Sequence, residues 1–360
     1  MTHLKCIISL MLLSLLFFSF TSVSYGAVKV DRAGFLDHKV NFQKFKLCLL
    51  SDKGDLLVGM EEIDDLTLRK AGNMYAVHIL KLDMENNKLS SWKTAYAGIA
   101  RFNQVVLSDK GDKLLIIGDG GTKLFVLDTD SMEMKCVFKH EKGKAGFRSE
   151  PIGMYYEGFF YVKGYFYDEE QYSQGGYIAK VDITKTGAAA FEKNLNIDEL
   201  YTKLDGTISS LYMVSPVTGY FSVMRKDGMH LITYKDGEVK EIDKGFDIPD
   251  IAGAPTKVIY NVIKSKKASD ETKLYDFKTG KSISLGSYIP YSFIARATGK
   301  VVVMATFDYA RVKMSFYFAK EEDKFQVKPL FENVDPGQFK LSADGRIYAF
   351  LSKTLVIDKL

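Results

Sequence analysis

The chain has 360 residues, 46% of them hydrophobic and 26% charged, with a formal net charge of +4. That is ample apolar material for a large core, and basic and acidic residues are too evenly mixed to form a nucleic-acid-binding surface. Three cysteines in such a length also exclude a disulfide-stapled scaffold.

The first 26 residues read as a secretory signal peptide. Lys5 gives a basic start, Ile7 to Phe20 is an apolar run broken only by serines, and Ser24-Tyr25-Gly26 offers small residues where a signal peptidase reads. The expected mature chain, 27–360, is then one exported domain, periplasmic or secreted. It holds no second apolar run long enough to span a bilayer, so no integral membrane segment is expected after cleavage.

Repeats begin after the segment Val28 to Val40. Leu50-Ser51-Asp52-Lys53-Gly54-Asp55 returns almost letter for letter as Leu107-Ser108-Asp109-Lys110-Gly111-Asp112. A looser copy is Leu341-Ser342-Ala343-Asp344-Gly345-Arg346. Each copy lies between two short apolar strands. It reads as a β-turn in which Ser and Asp bond the backbone locally and Gly takes positive φ. One turn repeated at long intervals marks a repeat architecture.

Each repeat is expected to hold four antiparallel strands, A to D from the centre outward. The first predicts strands over 44–50, 56–60, 75–82 and 88–94, and the second over 103–107, 113–118, 123–128 and 133–138. The third reads 152–156, 159–165, 177–183 and 188–193, and the fourth 208–214, 220–224, 229–234 and 238–242. The fifth has a weak A strand near Ile251, then 257–263, 273–277 and 281–285. The sixth reads 291–295, 301–306, 313–319 and 325–331. Only three strands remain at the C-terminus, which leaves an open edge. Val28 to Val40 is expected to supply the fourth. The expectation is an all-β, seven-bladed β-propeller closed by that N-terminal strand, with six blades as the alternative if the fifth repeat merges with its neighbour.

Cys48 falls on an innermost strand and Cys136 on an outermost one. That is about three strand spacings of roughly 4.8 Å, beyond the ~7 Å a disulfide spans. Both are expected to be unpaired and buried.

Leu107-Ser108-Asp109-Lys110-Gly111-Asp112-Lys113-Leu114, followed by Lys123-Leu124-Phe125-Val126-Leu127-Asp128, resembles the blade grammar of YVTN-type and TolB-type bacterial propellers. The resemblance runs through the whole mature chain and implies a fold. Those families include scaffolds, binding proteins and a few enzymes, so it implies no activity.

No catalytic residue, metal or cofactor is expected. Trp92 is the sole tryptophan, which removes the tryptophan-docking quinoprotein and Trp-Asp repeats. Ser342-Ala343-Asp344-Gly345 has the wrong spacing for a sialidase box. Asp128-Thr129-Asp130 lacks the further oxygens a calcium loop needs. Glu61, Glu62, Asp64 and Asp65 read as a solvated charge run. His38, His78, His140 and His230 stand at no metal-ligand spacing. No nucleophile elbow or phosphate loop occurs.

Loop length is the signal that points to function. A–B and C–D connections are short, whereas long segments gather in B–C loops (61–74, 166–176, 265–272) and D–A loops (139–150, 194–207). In an up-and-down blade these emerge on one face, and long loops in compact domains are usually functional. The candidate binding residues on that face are His140, Arg148, Tyr165, Tyr167, Asp168, Glu169, Tyr172, Tyr309 and Arg311. Rigid rings beside charges suit a protein or carbohydrate partner. The expected function is an exported, monomeric binding protein or scaffold. The competing expectation is an exported hydrolase or lactonase with a carboxylate site at the channel mouth.

Overall fold

The structure is a computed structural model that describes residues 28–30, 32–41, 43–51, 53–86, 88–141, 145–170, 172–266, 270–294, 299–334, 339–341, 346–351 and 354–359. The signal-peptide reading and the turn at 342–345 lie outside the described residues. No helix among the described residues is long and apolar enough to cross a membrane.

The chain opens with β1 (Val28–Val30) and a short helix α1 (Arg32–Asp37). Blade 1 is β2 (Phe45–Leu50), β3 (Leu56–Glu62), β4 (Tyr75–Asp83) and β5 (Lys88–Ala97), with α2 (Leu66–Lys70) between its middle strands. Blade 2 is β6 (Phe102–Leu107), β7 (Lys113–Gly118), β8 (Lys123–Asp128) and β9 (Met134–Lys139). Blade 3 is β10 (Gly146–Tyr156), β11 (Phe159–Tyr167), β12 (Ser173–Val181) and β13 (Phe191–Asn196), followed by α3 (Ile197–Leu204). Blade 4 is β14 (Thr207–Ser215), β15 (Thr218–Arg225), β16 (Gly228–Lys235) and β17 (Glu238–Gly245). Blade 5 is β18 (Ile251–Ala254), β19 (Lys257–Val262), β20 (Glu271–Asp276) and β21 (Lys281–Gly286). Blade 6 is β22 (Ile289–Ile294), β23 (Val301–Asp308), β24 (Lys313–Lys320) and β25 (Lys328–Val334). The chain ends with β26 (Phe339–Leu341), β27 (Arg346–Leu351) and β28 (Thr354–Lys359).

Each of the six blades pairs its strands antiparallel in chain order, and the fifth repeat stands as a blade of its own. The inner strands adjoin in the order β26, β2, β6, β10, β14, β18 and β22. The seven-blade expectation is corrected here. Six blades are continuous in sequence, from Phe45 to Val334. As expected of the N-terminal segment, β1 joins the last three strands in a composite sheet drawn from both chain ends, in the order β1-β28-β27-β26. In it Val28, Lys29 and Val30 pair antiparallel with Ile357, Val356 and Leu355.

Burial follows position in the blade. The second strands read Leu-Leu-Val-Gly-Met in β3 and Lys-Val-Ile-Tyr-Asn-Val in β19, and these stretches are buried throughout. Largely apolar runs are what a strand covered on both faces requires, and the polar exceptions in β19 are bonded, Lys257 to Glu321 and Asn261 to Thr272. The outer strands β17 and β21 are largely exposed and charged or polar, which blunts their edges. One apolar cluster joins Val58, Ile79 and Ala97 of blade 1 to Val105, Leu114 and Ile116 of blade 2. Another joins Leu115 and Ile117 of blade 2 to Phe160, Val162 and Ala179 of blade 3.

The repeated phrase folds identically twice. Ser51 Oγ donates to Asp55 (2.7 Å) and accepts the Leu56 N–H (3.1 Å). Ser108 Oγ donates to Asp112 (2.7 Å) and accepts the Lys113 N–H (3.0 Å). Gly54 and Gly111 both sit at φ +73°, where a side chain is strained.

Only three residues of the N-terminal segment form a strand. The rest turns into α1, because Phe35 finds a fully buried site against the rings of Phe45 (5.3 Å) and Trp92 (5.0 Å). A hydrogen-bonded chain holds this junction. The Asn41 N–H donates to Glu61 Oε1 (2.6 Å), and Glu61 Oε2 meets His78 Nε2 (3.1 Å). His78 Nδ1 lies 3.0 Å from Thr94 Oγ1 and 3.3 Å from the Trp92 indole nitrogen, so both side chains hold the imidazole in place. The acidic stretch is solvated at Glu62, Asp64 and Asp65, but the reading is corrected at Glu61. Glu61 is buried in this network, Asp64 pairs with Lys44, and Asp65 caps α2 by accepting the Thr67 and Leu68 N–H groups (2.7 and 3.0 Å).

Cys48 and Cys136 are unpaired, on the innermost strand of blade 1 and the outermost strand of blade 2. Burial is corrected: Cys48 is half-buried and Cys136 is exposed, because an outer strand has a solvent side. Alkylation of the denatured, unreduced protein is expected to label both thiols, and an intact mass two protons light with no label would contradict the strand order. Phe35→Ala is expected to cost about 3–5 kcal/mol in urea denaturation, as for other buried aromatics. Leu36→Ala, at a position 62% exposed, is expected to stay within about 0.5 kcal/mol.

Candidate binding face

The face formed by B–C and D–A connections carries α2, α3 and the loops after β9, β17, β19 and β23. Among the described residues, nine of the fourteen exposed large hydrophobic side chains lie in or beside these connections, including Leu66, Tyr172, Phe246, Tyr309 and Val312. Exposed apolar surface concentrated on one side of a molecule marks an interaction surface.

The predicted residues fall into two groups on this face. Blade 3 carries the first. Arg148, Tyr165 and Tyr167 lie on strands rather than in loops, since β10 begins at Gly146 and β11 runs to Tyr167. Arg148 is exposed and stands opposite Tyr165 in the β10–β11 register. The connection shrinks to 168–172. Asp168 closes it: its carboxylate accepts the Tyr172 N–H (2.8 Å) and the Gln174 side-chain amide (2.9 Å), so it is committed to the turn. Glu169 and Tyr172 project from the tip, Tyr172 65% exposed. His140 is half-buried on the approach to β10, and its N–H donates to the Thr122 carbonyl (2.8 Å).

The sequence did not single out the ion pair beneath this group. Lys163 is buried with its ammonium 2.7 Å from Glu150. Burial alone would lower its pKa, and the Glu150 carboxylate more than reverses that, leaving it above the usual lysine value. Burial, and then Glu150, push the Tyr165 phenol up as well. Tyr165 therefore stays neutral at physiological pH, a hydrogen-bonding ring over a satisfied charge pair.

The second group lies on blade 6. Tyr309 is 82% exposed, and its ring meets Phe307 edge-on at 4.6 Å. Arg311 is exposed beside Asp308 (3.8 Å), whose carboxylate also accepts the Ala310 and Arg311 N–H groups. Phe307 in turn lines a cavity of about 250 Å³ between blades 5 and 6, with Asp270, Ser287, Tyr288, Ile289, Ala305 and Thr306. None of these seven residues was foreseen, since they come from three separate segments that carry no motif. A smaller cavity, about 130 Å³, lies on the opposite face between the two copies of the repeated turn. Its charges are largely spent internally, in the Lys81–Asp130 pair and the Ser51–Asp55 and Ser108–Asp112 bonds.

Solved structures with this architecture place the fold. No family model and no curated protein matches the sequence. An oligogalacturonate lyase in complex with manganese matches at TM-score 0.54 and 13% identity, over 89% of this chain and 92% of its own. An oligogalacturonate lyase from Vibrio parahaemolyticus matches at 0.51 and 12%, over 87% and 88%. TolB from Acinetobacter baumannii is also matched, at 0.40 and 13%, over 81% and 64%. The chain has a β-propeller fold. At such identities the likeness is one of fold alone.

Asp250 lies within electrostatic reach of Asp247 and of Asp270, which lines the cavity. Burial, then the charges of Asp270 and Asp247, raise the pKa of Asp250 above the ordinary carboxyl value. A carboxyl whose pKa rises on folding contributes stability that is present at low pH and lost as pH climbs through the folded value. Asp250→Asn is therefore expected to raise the melting temperature at pH 7 and leave it unchanged at pH 3. A variant that melts below the wild type at pH 7 would show that the Asp250 charge is stabilised rather than strained.

Proposed function

We propose that this protein is an exported binding protein or scaffold that holds a protein or carbohydrate partner on its B–C/D–A face. The observation that carries the reading is the gathering of exposed rings and aliphatic side chains on that face, which also holds the cavity between blades 5 and 6. Small-molecule and peptide sites are concave and mostly apolar, with few polar groups, and the cavity between blades 5 and 6 has that character. Tyr309 and Tyr172 give large contact area at low entropic cost, and Arg148, Glu169 and Arg311 give direction. The apolar segment at 7–20 supports export to the periplasm or beyond.

The opposite face gives the contrast. Its A–B turns are short and internally hydrogen-bonded, which leaves little to offer a ligand. The test is cross-linking in the native envelope, followed by binding measurements on the recovered partner. Tyr309→Ala and Arg148→Ala are each expected to weaken binding by about 30-fold, the effect of losing an anchor worth ~2 kcal/mol. Their melting temperatures should stay close to wild type. Lys53→Ala and Lys110→Ala, on the opposite turns, should bind as wild type does. Loss of the partner in the turn variants, with retention in the loop variants, would contradict the reading.

A further inference from the structure

We infer that His230 is a proton-operated clasp on the B–C/D–A face. Its imidazolium ties the β15–β16 turn to β17 and, through Glu241 and Arg225, to α3. Loss of the proton loosens that corner of the face. This rests on the reading of the B–C/D–A face as the binding surface and names what regulates it.

His230 lies on β16 and is buried. Its Nε2 stands 2.9 Å from Asp227 Oδ1, in the turn, and its Nδ1 stands 2.8 Å from Glu241 Oε2, on β17. An ionised carboxylate only accepts, so the ring satisfies both partners at once only when both nitrogens carry hydrogen. A neutral ring has one N–H. Its other nitrogen then turns a lone pair on a carboxylate oxygen, and one of the two ties fails. The Asp227 and Glu241 side chains are 60% and 47% exposed, so the carboxylate that loses its donor swings to water.

The clasp reaches beyond its own strand. Glu241 Oε2 also takes the Arg225 guanidinium at 3.4 Å. Arg225 in turn donates to the Leu204 carbonyl (2.7 Å) and the Asp205 carbonyl (3.2 Å), which end α3. A helix C-terminus leaves such carbonyls unsatisfied and favours a cation beside them. Near its other end, the Asp198 carboxylate of α3 accepts the Gly176 N–H of blade 3 (2.9 Å). α3 is thus fastened to blade 3 at its start and to blade 4 at its end, and the blade 4 fastening is Arg225.

The charged groups that face His230 come from each element around it: Asp227 from the turn, Glu241 and Lys244 from β17, and Arg225 from β15. The end of α3 presents carbonyls. Lys244 pairs with Asp227, and this ammonium, then His230, hold the Asp227 carboxyl well below the usual carboxylate range. Asp227 therefore stays an acceptor while the ring gains or loses its proton. A metal ion is not the cation here, since among the described residues no three His, Cys, Asp or Glu side chains are arranged to hold one.

The experiment is amide hydrogen exchange on the free mature chain at about pH 5 and about pH 8, the range across which imidazoles change charge. Protection factors remove the intrinsic effect of pH. Residues 200–205 and 225–229 are expected to lose about tenfold in protection at the higher pH, while 113–118 of blade 2 keep theirs. His230→Gln holds no titratable ring and is expected to show equal protection at both pH values. Asp227→Asn is the second variant, needed if His230→Gln fails to fold. Its amide accepts from an N–H or donates to a lone pair, so it suits either form of the ring, and the pH dependence should vanish there too. Equal protection at both pH values in the wild type, or a pH dependence that persists in a folded variant, overturns the clasp. If the clasp fails while Tyr309→Ala still releases the cross-linked partner, the face stands without it. If instead Lys53→Ala and Lys110→Ala release that partner, the face falls, and regulation of binding by the clasp falls with it.

Discussion

Each blade is apolar on both faces, and only another blade can cover it. The second strands show this most directly, since β3 and β19 bury nearly every side chain. Burial of apolar surface is worth about 25 cal/mol per Å², so leaving one blade face open would cost more than a domain of ordinary stability can lose. Side-by-side packing of blades follows, and with it the need to finish the last sheet. The two chain ends do that together, through β1 and β28, while Phe35 and the Glu61–His78–Trp92 network anchor the N-terminal segment to blade 1.

Once the blade faces are consumed by packing and the outer strands are blunted by charge, the strand ends are what remains for recognition. The two ends are built differently. At the A–B end, Ser-Asp-Gly turns satisfy their own polar groups, and the local chemistry agrees with the fold. At the other end the connections carry exposed rings and a cavity. Departures from local optimality concentrate where a protein meets something else. The raised proton affinity of Asp250 is one such departure, and the exposure of Tyr309 is another.

Much of the architecture is legible in the residues. The paired turns at Ser51 and Ser108 predict their own hydrogen bonds, and the strand ranges of the six continuous blades follow from short apolar runs between turn residues. The composite sheet was legible as a need, an open edge and a spare N-terminal segment, but not in its extent, since three residues of β1 carry no pattern of their own and pair with a partner more than 300 residues away. Side-chain roles were harder still. Glu61, Asp64 and Asp65 look alike in sequence, yet one is buried against a histidine, one pairs with Lys44 and one caps a helix. Period-2 patterning says which face of a strand a residue occupies, not what stands across from it. Thus Tyr309 was visible as a loop tyrosine, whereas Asp270, Ile289 and Phe307 become neighbours only when blades 5 and 6 are set side by side.

The central claim is that recognition occurs at the B–C/D–A end. Hydrogen exchange of the backbone amides, compared between the free protein and its complex with the partner recovered from the envelope, addresses it without altering a residue. The account predicts protection in the connections around 264–270, 287–289 and 305–312, with the turns at 51–55 and 108–112 unchanged. Protection confined to those two turns would contradict it.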